Sequence, residues 1–273
     1  MRQSVKWNRR AVRLALTLGA ALIVSPGARG ASAQEEFRWH GSVDRGDLVE
    51  IKGVNGEIVA SPSSGGEVEI TARKHSRHDD PASVKIEVVE HEGGVTVCAV
   101  YSSRRGKRPN ECEPGQGGQL GAHNSDVVVD FTVHIPRGTP FHGRTVNGRV
   151  RARDLDRHVN AETVNGGIEV TTAGSAEAAT VNGSIDATLG AAGWDGEMSF
   201  HTVNGSINLA LPEGVNADVS AETVNGELST DFPLTVSGRL GFGAHRLHGT
   251  IGKGGDRLDL KTVNGAIHLR KSR

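Results

Sequence analysis

The sequence predicts an all-β fold, a β-solenoid (parallel β-helix-like) with coils of roughly 20 residues. The tetrapeptide Thr-Val-Asn-Gly recurs at 145–148, 163–166, 180–183, 202–205, 223–226 and 262–265, and Gly53-Val54-Asn55-Gly56 is a degenerate copy. Aliphatic residues flank the copies with a period of two, the signature of a strand with one buried face. Glycine supplies 37 of 273 residues and aromatics only 4%. Glycine averages about 7% in proteins, so this excess fits turn-dense strands and disfavours a helical bundle.

Taken in order, residues 1–33 read as an export signal and not as part of the fold. Arg2, Lys6, Arg9, Arg10 and Arg13 precede an apolar run from Leu14 to Val24, and Ala31-Ser32-Ala33 supplies the small residues of a cleavage site after Ala33. The run is shorter than the roughly 20 residues of a spanning helix, and no second long apolar run follows. No membrane span is therefore expected once the signal is removed. With Arg29, the segment holds six basic residues and no acid. The remainder keeps 25 of the 31 Lys and Arg against 32 Asp and Glu, a net charge of about −7. That balance argues against nucleic acid as a partner.

Residues 34–135 form an N-terminal β segment continuous with the solenoid. Val84, Ile86 and Val88 alternate with polar residues, as do Val95, Val97 and Ala99, and Val127, Val129, Phe131, Val133 and Ile135. Cys98 and Cys112 lie in an exported, oxidising context, which predicts a disulfide. The bridge would close the polar segment from Ala99 to Glu111, and the wider polar stretch from Ser102 to Ser125 reads as an insertion over one face. Arg104 to Arg108 within it read as a solvated loop tip, with contact to an anionic envelope polymer as the sharper possibility.

Residues 136–273 are the repeat solenoid. Successive asparagines in the six exact copies lie 18, 17, 22, 21 and 39 residues apart. His248-Gly249-Thr250-Ile251 reads as a worn further copy within the long gap. After each glycine, Val150, Ile168, Ile185, Ile207, Leu228 and Ile267 stand at the same offset, with Ile58 in the early copy; before the turns run Met198 and Phe200, Val219 and Ala221, Leu258 and Leu260. Each unit is thus strand, Asn-Gly corner, strand and a second turn such as Ala173-Gly174 or Leu211 to Gly214. The corner residues are Asn55, Gly56, Asn147, Gly148, Asn165, Gly166, Asn182, Gly183, Asn204, Gly205, Asn225, Gly226, Asn264 and Gly265. Asn and Gly suit a corner because both tolerate positive φ. Thr and Asn in stacked coils would satisfy one another's hydrogen bonds. Thin rungs of Ile, Leu, Val and Ala would leave no room for large rings. The alternative fold is an antiparallel meander of Asn-Gly hairpins, but a hairpin gives no reason to repeat Thr and Val as well.

Chemistry is sparse. No Gly-x-Ser-x-Gly elbow, phosphate-binding loop or His-Glu-x-x-His motif occurs, so no catalytic residue, cofactor or metal ligand is assigned. Glu162 and Glu222 precede equivalent corners, yet Ala179 and His201 stand between them, the pattern of a solvated face. His75 and His78, and His245 and His248, are spaced three apart on segments that read as loop and strand, where imidazoles do not converge. Gly252 to Leu258 is one isolated glycine-rich turn, whereas calcium-binding repeats need tandem copies.

The Thr-Val-Asn-Gly-x-Ile units from Thr145 to Ile267, with the Val127-to-Pro136 strand before them, resemble the DUF4097 family of bacterial exported proteins, a candidate adhesin domain. The resemblance spans most of residues 37–271. It implies a β-solenoid-like fold and an envelope or surface location (periplasm, cell surface or extracellular), and it carries over no catalytic residue. The expected role is a non-enzymatic surface protein binding an unknown envelope or surface ligand, protein or glycan. The alternative is a carbohydrate-active β-helix enzyme acting on envelope or extracellular polysaccharide, which would need carboxylates and a base converging in a groove.

Overall fold

The computed structural model describes residues 34–103, 110–117, 121–122, 124–194, 196–236 and 245–272. The export-signal reading, Ala33 included, and the Arg104–Arg108 tip lie outside them. Among the described residues the protein is all-β, with one 3-10 turn at Pro81–Ser83 capped by Asp80. No helix among them is long and apolar enough to cross a membrane.

Two sheets contain every strand among the described residues. The first runs, in spatial order, Gln34–Gly41, Val68–His75, Val128–Ile135, Ile58–Pro62, Val150–Leu155, Ile168–Thr172, Ile185–Leu189, Ile207–Leu211, Ile267–Lys271 and Leu228–Thr230. The second runs Leu234–Val236, His245–Ile251, Ala217–Asn225, Asp256–Asn264, Glu197–His201, Ala176–Ala179, Val159–Glu162, Phe141–Arg144, Leu48–Lys52, Gly94–Val100 and Lys85–His91. Each coil climbs a second-sheet strand, turns at a corner, descends a first-sheet strand and returns through a second turn. Neighbouring coils pair in parallel, as in Ile168 with Ile185 and Val159 with Ala176. This is a β-solenoid and not a meander of hairpins. Antiparallel pairs occur at its ends, where Gln34–Gly41 and Val128–Ile135 flank Val68–His75, Lys85–His91 covers Gly94–Val100, and His245–Ile251 covers Ala217–Asn225.

The coils do not stack in chain order. The last coil, Asp256–Asn264 and Ile267–Lys271, slots between the coil of Asn204 and the coil of Asn225 in both sheets. The segment His248 to Ile251 is also no corner. It lies in the antiparallel strand His245–Ile251, with His248 opposite Ser220. Gly252 to Gly255 make the turn that reverses the chain from this strand into the intercalated coil, three of them at positive φ.

The core is a set of columns of inward residues. One first-sheet column reads Phe131, Ile58, Val150, Ile168, Ile185, Ile207 and Ile267, all at most 2% exposed. A second-sheet column reads Ile51, Gly143, Ala161, Ala178, Phe200, Leu260 and Ala221. Rings therefore do enter the rungs. Phe200 fits because Ala178 is its neighbour, and Phe141 because Gly143 leaves space, a Cβ there lying 3.0 Å from the ring. Close packing is achieved by pairing large with small along a column.

Candidate functional site

The corners form one continuous edge of the molecule. In spatial order its asparagines are Asn55, Asn147, Asn165, Asn182, Asn204, Asn264 and Asn225, bridged in parallel from coil to coil. Each Nδ2 donates to the Oδ1 of the asparagine before it at 2.8–2.9 Å, and Asn55 Nδ2 closes the row on the Val127 carbonyl at 3.4 Å. An amide carries both donor and acceptor, so it can relay along a stack; a carboxylate could only accept. The threonines do not share this row. Thr145, Thr163, Thr180, Thr202, Thr262 and Thr223 are buried and donate to the carbonyl of the neighbouring coil's corner glycine at 2.8–3.2 Å.

The corner glycines are there for proximity more than for φ. Of the seven, only Gly56 and Gly265 have positive φ, and no corner asparagine does. A Cβ on Gly148, Gly166, Gly183, Gly205, Gly265 or Gly226 would stand 1.8–2.0 Å from the carbonyl oxygen of the adjacent corner glycine. On Gly56 it would stand 2.1 Å from the Val129 carbonyl. Stacking so tight corners excludes every side chain, which corrects the expectation that left-handed backbone selects Asn-Gly.

Beside the amide row stands a second exposed one: Val164, Val181, Val203, Val263 and Val224 are 38–44% exposed, while Val54 is buried. Valine and asparagine thus form two parallel ladders at the inter-strand repeat of about 4.8 Å.

The outer face of the second sheet holds a partly buried cluster of ionisable residues. Glu50, 1% exposed, lies with Oε1 3.1 Å from His142 Nδ1 and 3.6 Å from Lys52 Nζ, while its Oε2 accepts from Thr96 Oγ1 at 2.8 Å and Gly115 N at 3.0 Å. His142 Nε2 is 3.4 Å from Glu162 Oε1. Burial alone would push His142 down, but the Glu162 and Glu50 carboxylates outweigh it and raise it to about 9. Both carboxylates are held below their usual range, Glu162 chiefly by His142 and Glu50 by His142, Thr96, Gly115 and Lys52 against its burial. Lys52 Nζ donates to the carbonyls of Glu113 and Gly115 at 2.5 Å and of Gly117 at 3.2 Å. Cys98 and Cys112 are joined by a disulfide, Cα atoms 5.7 Å apart. The described part of the insertion is therefore fastened onto the second sheet twice, by sulfur and by a buried ammonium.

At the other end of that face an open groove of about 490 Å³ is lined by Asp218, Ser220, His248, Arg257, Asp259 and Lys261 among others. Its charges are satisfied internally. Asp259 Oδ2 lies 2.9 Å from His201 Nε2 and 2.5 Å from Lys261 Nζ, Thr250 Oγ1 donates to Asp218 Oδ1, and Arg257 sits 3.8 Å from Glu197. Burial raises the Asp259 carboxyl, yet Lys261 and His201 overcome it and hold it low. The two glutamates read as a solvated face are in fact paired, Glu162 with His142 and Arg144 and Glu222 with Arg246.

The histidine pairs do not converge on a ligand set. His78 Nδ1 is 3.0 Å from Asp126 Oδ2, the same carboxylate that accepts the N–H groups of Arg77, His78 and Asp79, whereas His75 faces Asp130 at 3.7 Å. The His245 side chain lies outside the described residues. Among the described residues no group of three or more His, Cys, Asp or Glu is placed to hold a metal ion.

The Toastrack DUF4097 family matches residues 144–270, the stretch from the second corner to the last strand. No curated protein matches the chain. Among solved structures, a candidate cell adhesion protein from Clostridium sporogenes is 12% identical with a TM-score of 0.41, covering 88% of this chain and 100% of its own. A candidate adhesin from Bacteroides fragilis is 12% identical with a TM-score of 0.34, covering 87% of this chain and 97% of its own.

Proposed function

We propose, from the match of residues 144–270 to the Toastrack DUF4097 family, that this protein is an exported envelope or surface protein that binds and does not catalyse. The observation that carries the reading is the corner ridge. Five valines and seven asparagines repeat there in register, offering apolar and amide contacts at one fixed spacing to a protein or glycan surface. The ion pairs on the second sheet support the non-catalytic half. Asp259 is committed to His201 and Lys261, which leaves it unlike a poised acid or base.

The test is expression of the full chain in a bacterial cell, followed by fractionation and by retention on isolated cell-wall glycan. Export with retention is expected. The double variant Val181→Glu, Val203→Lys keeps a charge pair across adjacent coils but abolishes the apolar ridge, and it should be exported without being retained. A chain that stays in the cytoplasm, or a variant retained like the parent, overturns the reading.

A further inference from the structure

Opposite the corner ridge, where second-sheet strands begin and first-sheet strands end, lies a second open groove of about 510 Å³. Its lining contains Arg45, Arg137, Ser63, Ser64, Gly66 and Thr139, and no carboxylate. That lining is unlike the rest of the molecule, whose residues beyond 33 carry a net charge of about −7, and unlike the C-terminal groove with its matched charges. Neither Arg45 nor Arg137 makes an ion pair or hydrogen bond among the described residues.

The backbone places both arginines on the lining of this groove. Gly138 has φ +88°, and a Cβ on it would stand 3.2 Å from Arg45 Nε and 3.3 Å from its Cγ. The Arg45 side chain therefore lies across Gly138, immediately beside Arg137. The turn beneath is fixed by Asp156, whose carboxylate accepts the Gly138 N–H at 3.0 and 3.2 Å. Ser63 Oγ accepts from Gly65 N at 3.1 Å, which shapes the facing loop, while the Ser64 hydroxyl and Gly66 N–H have no internal partner among the described residues. Arg45 and Arg137 line this groove together, and although Arg137 also borders a small neighbouring cleft with Asp154 and Asp156, neither guanidinium is ion-paired among the described residues, so both forks are open to an oxyanion in the groove. Guanidinium forks match carboxylate and sulfate geometry, and free hydroxyl and amide donors suit sugar oxygens. The groove is also far larger than a single inorganic ion.

We propose that the Arg45–Arg137 groove binds an acidic polysaccharide through its carboxylate or sulfate groups. This site is separate from the corner ridge and its test is made in solution. A protein that binds the polymers yet is never exported would refute the surface reading alone.

The test is titration of the purified protein with dextran sulfate, polygalacturonate, unmodified dextran and inorganic sulfate. Both acidic polymers should bind, more weakly as salt rises, and dextran should not. Arg45→Gln with Arg137→Gln should weaken the acidic polymers by about tenfold or more, with the circular dichroism spectrum unchanged because both side chains are exposed. Arg149→Gln with Arg270→Gln, exposed elsewhere, should have no effect. The proposal falls if neither acidic polymer binds, if the groove variant binds like the parent, or if the control variant loses as much. Inorganic sulfate binding as tightly as dextran sulfate would overturn the polymer assignment.

Discussion

Gly183 shows how little freedom a single residue has in this architecture. Its missing Cβ would sit 1.9 Å from the Gly166 carbonyl, an oxygen already accepting the Thr180 hydroxyl at 2.9 Å. Neither coil can move without disturbing the next. Gly183→Ala should cost about 3 kcal/mol, the upper end for overpacking a rigid site. Gly214→Ala, with open space around it, should change stability by less than about 0.5 kcal/mol. Equal melting temperatures for the two variants would contradict the close-approach account. His142 gives the residue-scale pH dependence. Its ordinary value of 6.5 is raised to about 9, so the stability it contributes is complete below about pH 6.5 and is lost as pH rises through about 9. The contribution is about 3 kcal/mol. The depressed Glu50 and Glu162 act in the opposite sense, complete above about pH 4.5 and lost on acidification. Urea midpoints measured from pH 6 to 10 should fall for the parent and stay flat for His142→Gln. A slope that survives the substitution would show that His142 is not its source.

At the scale of elements, the insertion after Gly94–Val100 is held by two devices of different chemistry. The disulfide closes a loop with a sequence separation of 14, worth roughly 3 kcal/mol on the chain-entropy account. The Lys52 ammonium takes three carbonyls of the same segment. Reduction should therefore lower the melting temperature without unfolding the solenoid. A thiol reagent should then react at half-buried Cys112 well before Cys98, which is fully buried. Equal labelling before and after reduction would mean no bridge exists in solution. The bridge was accessible to sequence reasoning because two cysteines behind a segment that reads as an export signal leave few alternatives. The ammonium cradle was not, since Lys52 is 61 residues from Glu113 and nothing local marks it. The same holds for Arg45 and Arg137, which line one groove only because the coils between them fold back. The strands themselves were plain in the alternation around Ile168 or Leu258, whereas His248 to Ile251 imitated a corner because glycine and β-branched residues also serve a covering strand.

For the whole molecule, the order of the coils was the feature least visible in the chain. Identical corners are interchangeable: Asn264 can donate to Asn204 as well as Asn225 could. The repeat that reveals the architecture therefore conceals the sequence of its coils. Intercalation has a consequence that a simple solenoid lacks, for ordinary repeat arrays lose an end coil at modest cost. Ending this chain after Gly255 removes an interior coil, and with it Leu258, Leu260, Ile267 and Leu269, each buried. At about 1.5–3 kcal/mol apiece, that loss rivals the typical margin of about 5–15 kcal/mol for a whole domain. It also strips Ala217–Asn225 and Leu228–Thr230 of their parallel neighbour. Removing Val215 to Gly254 instead deletes more residues yet joins two coils that already touch, Asn204 beside Asn264. Four residues would remain for the turn, and three suffice between Thr172 and Ala176. The larger internal deletion should keep a single cooperative melting transition, and the shorter truncation should lose it. The reverse ranking would place the last coil at the end of the stack.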